Sequence, residues 1–345
     1  VAAQRIASPA FAGPADAVRH MLAMQAQDFP GAKWSVGLRV PKSTDAAIEA
    51  ALAAGEIVRS WPMRGTLHFV APEDLGWMLQ IAGPRQANWA AKRRGDLGIT
   101  DDELSRAAEL AVGALSGGRV LRRDLLLNVW EEGGIPTQGQ RAYHLLWNLG
   151  HAALLVFGPV EGKQPTFALF EEWVRGSRPL SGDEALAEFA TRYFTSHGPA
   201  TVRDFAWWAS ITLGDARRGL AAATGIVSLE LEGTEYFHAE GLEAAASGVH
   251  ALAGFDEYLL GYQDRSPALA PEFSQRIVPG NNGMFLPTIV VDGEVVGTWK
   301  RTEGAKKVVV DVIPFTTLTK KGEAGFARAM RRYGEFIGKP VELRT

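Results

Sequence analysis

Three times along this chain a serine or threonine is followed three residues later by glutamate or glutamine: Thr100 with Glu103, Thr137 with Gln140, and Ser181 with Glu184. Such a pair can cap the first turn of a helix from both directions, so each predicts a helix start. The first helix is expected to run to about Ser116 and stop at Gly117-Gly118; a second, Arg122 to Glu132, stops at Gly133-Gly134. The third opens at Thr137 and carries Tyr143, Leu145, Leu146 and Leu149 at helical spacing. Two β-prone runs follow, Leu154 to Phe157 and Thr166 to Leu169, parted by Gly158, Pro159 and Gly162. Three helices followed by a hairpin is the winged-helix order.

That order recurs from Ser181: a helix to about Ser196, then helices opened by Thr201 and Thr212, then strands Val227 to Leu231 and Glu235 to His238 joined through Gly233. The N-terminal part follows it more loosely, with a helix across Ala15 to Gln25, another from Asp45 to Ala54, and strand-like Ile57 to Trp61 and Thr66 to Val70. Beyond about His250 the pattern turns to β: Phe285 to Val291, the turn Asp292-Gly293, Glu294 to Trp299 and Lys307 to Val312, closed by a helix from Gly322 to Ile337. The expected fold is α+β and mostly α, with three tandem winged-helix units, a C-terminal β-rich segment and a terminal helix. The corresponding segments are 1–98, 99–178, 179–245 and 246–345.

A chain of 345 residues can bury more than one core. Without a single cysteine it has no disulfides, thiolate nucleophiles or Cys-ligated zinc or iron–sulfur centres. The seven histidines form no HExxH pattern, and GxxxxGK[ST], GxGxxG and GxSxG are all missing, so no metal and no nucleotide cofactor is expected. No apolar run is long enough to cross a bilayer and Val1 to Pro9 lack the layout of a secretory signal, so a cytoplasmic, nucleoid-associated protein is expected. A net charge of −3 argues against coating DNA through bulk attraction. Residues 1–100, however, hold eleven Lys/Arg against eight Asp/Glu, an excess of three, with Lys92, Arg93 and Arg94 consecutive. Such a triplet reads either as a solvated helix end or as a phosphate-contacting edge.

The remaining candidate for chemistry is Gln25-Ala26-Gln27-Asp28-Phe29-Pro30, after the apolar run Val18, Met21, Leu22 and Met24. Residues two apart lie about 200° apart on a helix and cannot share one face. Pro30 is expected to end the helix and extend the chain near Gln27, and in an extended segment both amides point the same way. They could then meet one water; equally, they could be polar residues meeting solvent at a helix end.

Several stretches together resemble the AlkZ-like DNA glycosylases: Gln25 to Asp28, Arg64-Gly-Thr-Leu-His-Phe-Val70 with Pro72-Glu-Asp74, His197 to Thr201 with Asp204-Phe-Ala-Trp-Trp208, and Val291-Asp-Gly293 with Gly297 to Lys300. They span nearly the whole chain. This tandem winged-helix family unhooks bulky alkylation damage and interstrand crosslinks. Its motif of Gln, apolar residue, Gln is met by Gln25-Ala26-Gln27, whereas relatives of the YcaQ type have Asp in the second position.

The resemblance implies a monofunctional glycosylase that hydrolyses the N-glycosidic bond of N3- or N7-alkylated purines in double-stranded DNA, bulky adducts and crosslinks among them, with Gln25 and Gln27 as catalytic residues. It further implies an open cleft and a monomer. Arg39, Arg64, His68, Lys92, Arg93 and Arg94 are the candidate DNA contacts, with Arg39 and Arg64 expected on one concave face.

The alternative is a non-enzymatic winged-helix regulator, whose recognition helix would offer Gln138, Gln140, Arg141, His144 and Asn148. Against it, Leu145, Leu146, Trp147 and Leu149 in that same stretch call for burial.

Overall fold

The computed structural model describes residues 1–162, 164–244 and 248–344. Its helices and strands follow the expected order through the middle of the chain. Helices Asp101–Leu115, Arg123–Glu132 and Arg141–His151 precede a hairpin, and helices Gly182–His197, Val202–Ala209 and Leu213–Ala222 precede another. The strands are β1 (Ala23–Gln25), β2 (Val58–Met63), β3 (Thr66–Val70), β4 (Leu121–Arg122), β5 (Leu155–Phe157), β6 (Thr166–Leu169), β7 (Ile226–Leu231), β8 (Thr234–Ala239), β9 (Val249–Leu252), β10 (Thr288–Val291), β11 (Glu294–Glu303), β12 (Val308–Pro314) and β13 (Val341–Arg344).

The wings do not stay separate. β2 pairs antiparallel with β5 at Arg59 and Phe157, which fuses the first two hairpins into one sheet of order β1-β3-β2-β5-β6-β4. β7 and β8 form a sheet of their own, and the C-terminal strands form a third of order β13-β12-β11-β10-β9. The segment limits after 98 and 178 fall in connections between helices, and the limit after 245 lies outside the described residues.

Three apolar clusters hold these layers together. Trp34 on helix Phe29–Gly37 packs with Trp299, Phe326 and Phe336, so N- and C-terminal segments share a core. Val58, Val70 and Trp77 pack with Phe189, Tyr193 and Trp208. Trp61 packs with Trp130, Leu145 and Trp147. Residues 22–70 contribute to all three clusters, and the glutamine motif lies within that junction.

Here two local expectations are corrected. The first helix ends at Met21, four residues early, because Leu22 turns left-handed (φ 64°) and the buried run Ala23–Gln25 pairs with β3 instead. Sheet pairing and burial outweigh helix propensity there. Pro30 ends no helix; it lies in the first turn of helix Phe29–Gly37, where its missing N–H would have had no partner.

The cap at Thr100 forms in both directions, as expected. Ser181 stands at the N-cap of its helix but makes no side-chain cap bond, and the cap expected at Thr137 does not form. The Thr137 hydroxyl donates to Glu131, Gly139 takes a positive φ of 63°, and the helix starts only at Arg141.

Candidate active site

Gln25 ends β1 opposite His68 of β3. Gln25 is buried, whereas Gln27, two residues on, is exposed. In this extended stretch both side chains point one way: the Gln25 Nε2 donates to Gln27 Oε1 at 2.8 Å, and the Gln27 backbone N–H donates to Gln25 Oε1 at 3.2 Å. The residue between them is clamped. Ala26 N–H donates to the Leu67 carbonyl at 2.6 Å, and its own carbonyl accepts from Arg59 Nε at 3.1 Å and from an Arg59 terminal nitrogen at 2.7 Å. The Arg59 guanidinium lies over the rings of Phe29 and Phe157, and burial lowers its pKa to about 10. The two carboxamides are therefore carried on a fixed backbone, a condition for orienting a water at the exposed end.

Behind Gln25 lies a buried polar cluster. Glu257 is 1% exposed, and its carboxylate accepts from the Gln25 N–H at 3.0 Å and from the Trp208 indole N–H at 2.8 Å. Burial alone would raise its pKa, but the His197 ring beside it and the Arg64 charge outweigh that and hold it at about 2. His197 Nε2 stands 3.7 Å away, and burial lowers the pKa of that ring too.

His68 is fully buried. Burial first, then the Arg64 charge, lower its pKa to about 3, so it is neutral. Its Nδ1–H donates to the Thr66 carbonyl at 2.9 Å, leaving Nε2 to accept from Arg64 at 3.1 Å. Arg64 also donates to the Leu260 carbonyl at 3.1 Å, and its guanidinium lies 5.3 Å from the Trp207 ring. Arg64 and Gly65 form the two-residue turn between β2 and β3 with φ of 55° and 66°. A left-handed arginine is costly in such a turn, where Asn or Gly is usual, and here it directs the side chain inward.

Arg64 also lines a cavity of about 570 Å³ shared with Arg85, Gln86, Arg203, Trp207 and Gln263, a wall that includes no carboxylate among the described residues. Arg85 and Arg203 are exposed, and neither makes an ion pair among the described residues. Neither Gln25 nor Gln27 lines this cavity; Arg64 is the link between the two places. Sequence reasoning did not single out Arg85 or Arg203. The available signal for Arg203 was its place two residues after the helix cap at Thr201, between two stretches already matched to a family.

The candidate DNA contacts separate. Arg39 is wholly buried: it makes two bonds to Asp256, at 2.9 and 3.0 Å, and donates to the carbonyls of Gln4 and Ser35. It faces no groove, and its assignment to a concave DNA face is withdrawn because its charge is satisfied internally. The same holds for His68, neutral and out of reach. Lys92 and Arg93 are exposed at a second cavity of about 460 Å³ with Tyr143 and Trp147; Arg93 is already bonded to Gln140, and Arg94 is paired with Asp101 at 3.0 Å. The helix weighed as a recognition element buries Leu145, Leu146, Trp147 and Leu149, and Arg141 is bound to Glu103 and the Leu97 carbonyl.

Comparison with known proteins gives three findings. The sequence model of a family described as DNA glycosylase AlkZ-like matches residues 18–336. An interstrand DNA cross-link repair glycosylase of Streptomyces sahachiroi is 28% identical over 321 residues, which is 87% of this chain and 85% of that protein. The solved structure of the Streptomyces sahachiroi DNA glycosylase AlkZ matches with a TM-score of 0.81 at 24% identity, over 99% of this chain and 96% of that one, so the fold is shared along the whole length.

Proposed function

The chain belongs to the AlkZ-like DNA glycosylase family, and on that premise we propose that it hydrolyses the N-glycosidic bond of N3- or N7-alkylated purines in duplex DNA, with water held by Gln25 and Gln27. The observation that carries this reading is the 2.8 Å contact between one buried and one exposed carboxamide on a clamped backbone.

An alkylated purine already carries positive charge. When the bond to C1′ breaks, its electron pair goes to the base, which leaves neutral without a strong general acid. The positive character passes to the deoxyribose, water adds at C1′, and its proton passes to solvent. Carboxamides do not titrate near neutrality, so the two glutamines orient this water and face the growing charge with their oxygens. No lysine lies in the motif, which favours hydrolysis over a Schiff-base route.

The exposure of Gln27 suits bulky adducts and crosslinked bases, which fit poorly into the deep pockets of base-flipping enzymes. On this reading Arg85, Arg203 and Lys92 take the phosphates, with Arg64 joining cleft and glutamines. Incubation with a duplex bearing N7-alkylguanine, followed by mild alkali that opens abasic sites but leaves the no-enzyme control intact, tests the proposal. Strand scission at the lesion after alkali, with intact strands before it, is the expected outcome. Strands that survive alkali at stoichiometric enzyme would overturn it.

A further inference from the structure

We infer that Glu257 is a positioning residue for the glycosylase reaction, fixing the backbone of Gln25 and setting a negative charge behind the carboxamide pair; this rests on the function proposed above. β1 is an edge strand, with β3 on one side only. The carboxylate of Glu257 covers the other side at Gln25, accepting its N–H where a further strand would otherwise do so. A neutral acceptor could satisfy that N–H, and burying a carboxylate is costly unless something compensates it. Compensation here comes from two N–H donors, from the His197 ring at 3.7 Å and from the Arg64 charge. The nearest guanidinium, Arg64, stands 4.0 Å away, beyond direct hydrogen bonding. The charge is thus held in place with its counter-ion close but not hydrogen-bonded to it, in a water-poor site where its field reaches further than in solvent.

That charge is also rigidly mounted. Glu257 opens the short helix Glu257–Leu260, which Asp256 caps by accepting from the Tyr258 N–H at 3.0 Å, and its own carbonyl accepts from Gln4 at 3.1 Å. Its sign matches what the reaction needs, since positive charge grows on the sugar in front of Gln25. Glu257 is nearly fully buried and acts through Gln25 without touching the substrate.

The test is single-turnover excision of N7-alkylguanine from duplex DNA, with DNA affinity and thermal midpoint measured alongside. E257Q keeps the size and loses the charge. It is expected to be slower by about 10- to 100-fold with affinity within about twofold, and E257D to recover part of the rate. In a Gln25→Ala background, E257Q is expected to add less than about threefold, because both changes act through one group. Asp74→Asn is the structural control, since Asp74 is also fully buried and also accepts from an indole, that of Trp77, but serves Arg178 and Arg192. It is expected to lower the midpoint and leave the rate of the folded enzyme unchanged.

E257Q at wild-type speed, or a penalty fully additive with Gln25→Ala, would overturn the inference while the proposed function stands. Should E257Q not fold, E257D carries the test: its shortened reach should slow excision several-fold, and wild-type speed would overturn the inference. Wild-type protein that releases no base overturns the proposed function and this inference with it.

Discussion

Asp256 and Glu257 are adjacent carboxylates, both buried, and they are compensated in opposite ways. Asp256 receives two hydrogen bonds from Arg39 and one from the Tyr258 N–H, so charge meets charge at 2.9 and 3.0 Å and little field is left over. Glu257 receives the Gln25 amide and the Trp208 indole, with its cation at 4.0 Å. One is a closed clamp between the N-terminal segment and the short helix; the other is an anion presented to the glutamine motif. Burial alone therefore does not separate a structural charge from one placed for chemistry. The identity and distance of the partners do.

The clamp can be broken directly. Arg39→Met strands Asp256 in the core and should cost about 3–5 kcal/mol of stability, as for other buried pairs that lose one partner. Urea unfolding should register that loss, with E257Q falling short of it because an acceptor remains. Equal losses would erase the contrast.

Acid should act on the fold before it acts on the chemistry. Burial lowers the pKa values of His20 and His151 to about 4 and of His68 to about 3. An unfolded chain binds these protons near pH 6.5, so the stability they contribute is complete above that value. It is lost as pH falls from about 6.5 towards 4 and then 3, at roughly 3 kcal/mol or more per histidine. Glu257, held at about 2, stays ionised throughout most of this window. Stability profiles should slope there, while excision at pH 6.5–8.5 should be flat because neither carboxamide titrates. A bell-shaped rate profile centred in that range would point to a titrating base in place of the glutamines.

Smaller effects are expected at the arginine cleft. Arg85→Ala and Arg203→Ala should each lower the slope of log affinity against log salt by about 1, as expected when one phosphate is no longer neutralised. An unchanged slope would remove the cleft from the DNA path. Gln27→Asp should retain part of the excision rate, since a carboxylate at the exposed position also accepts from water.

What could be read from the chain was local chemistry. Thr100 with Glu103 closes its cap, and Asp292-Gly293 turns between β10 and β11 as expected. The two middle hairpins and their preceding helices follow their glycine stops. What could not be read was decided by partners far along the chain. Leu22 leaves the helix because β3, more than forty residues later, pairs with β1. Helix Pro72–Asp96 runs through Gly76, Gly83 and Pro84, residue types that ordinarily weaken or interrupt a helix.

The motif was legible as Gln25 and Gln27 in an extended stretch, though the extension comes from sheet pairing and owes nothing to Pro30. Arg39 looked like a surface cation because Asp256 lies 217 residues away, and Glu257, 232 residues from Gln25, had no local mark at all.

The central claim, that two carboxamides on a clamped backbone do the work, is tested most directly by single-turnover excision with Gln25→Ala and Gln27→Ala. Both variants should fold and bind DNA, yet release N7-alkylguanine slower by roughly one to three powers of ten, or about 1.4–4 kcal/mol of barrier. The double variant should be little slower than the worse single one, because two groups holding one water act as a unit. Excision by both alanine variants at the wild-type rate would contradict the account.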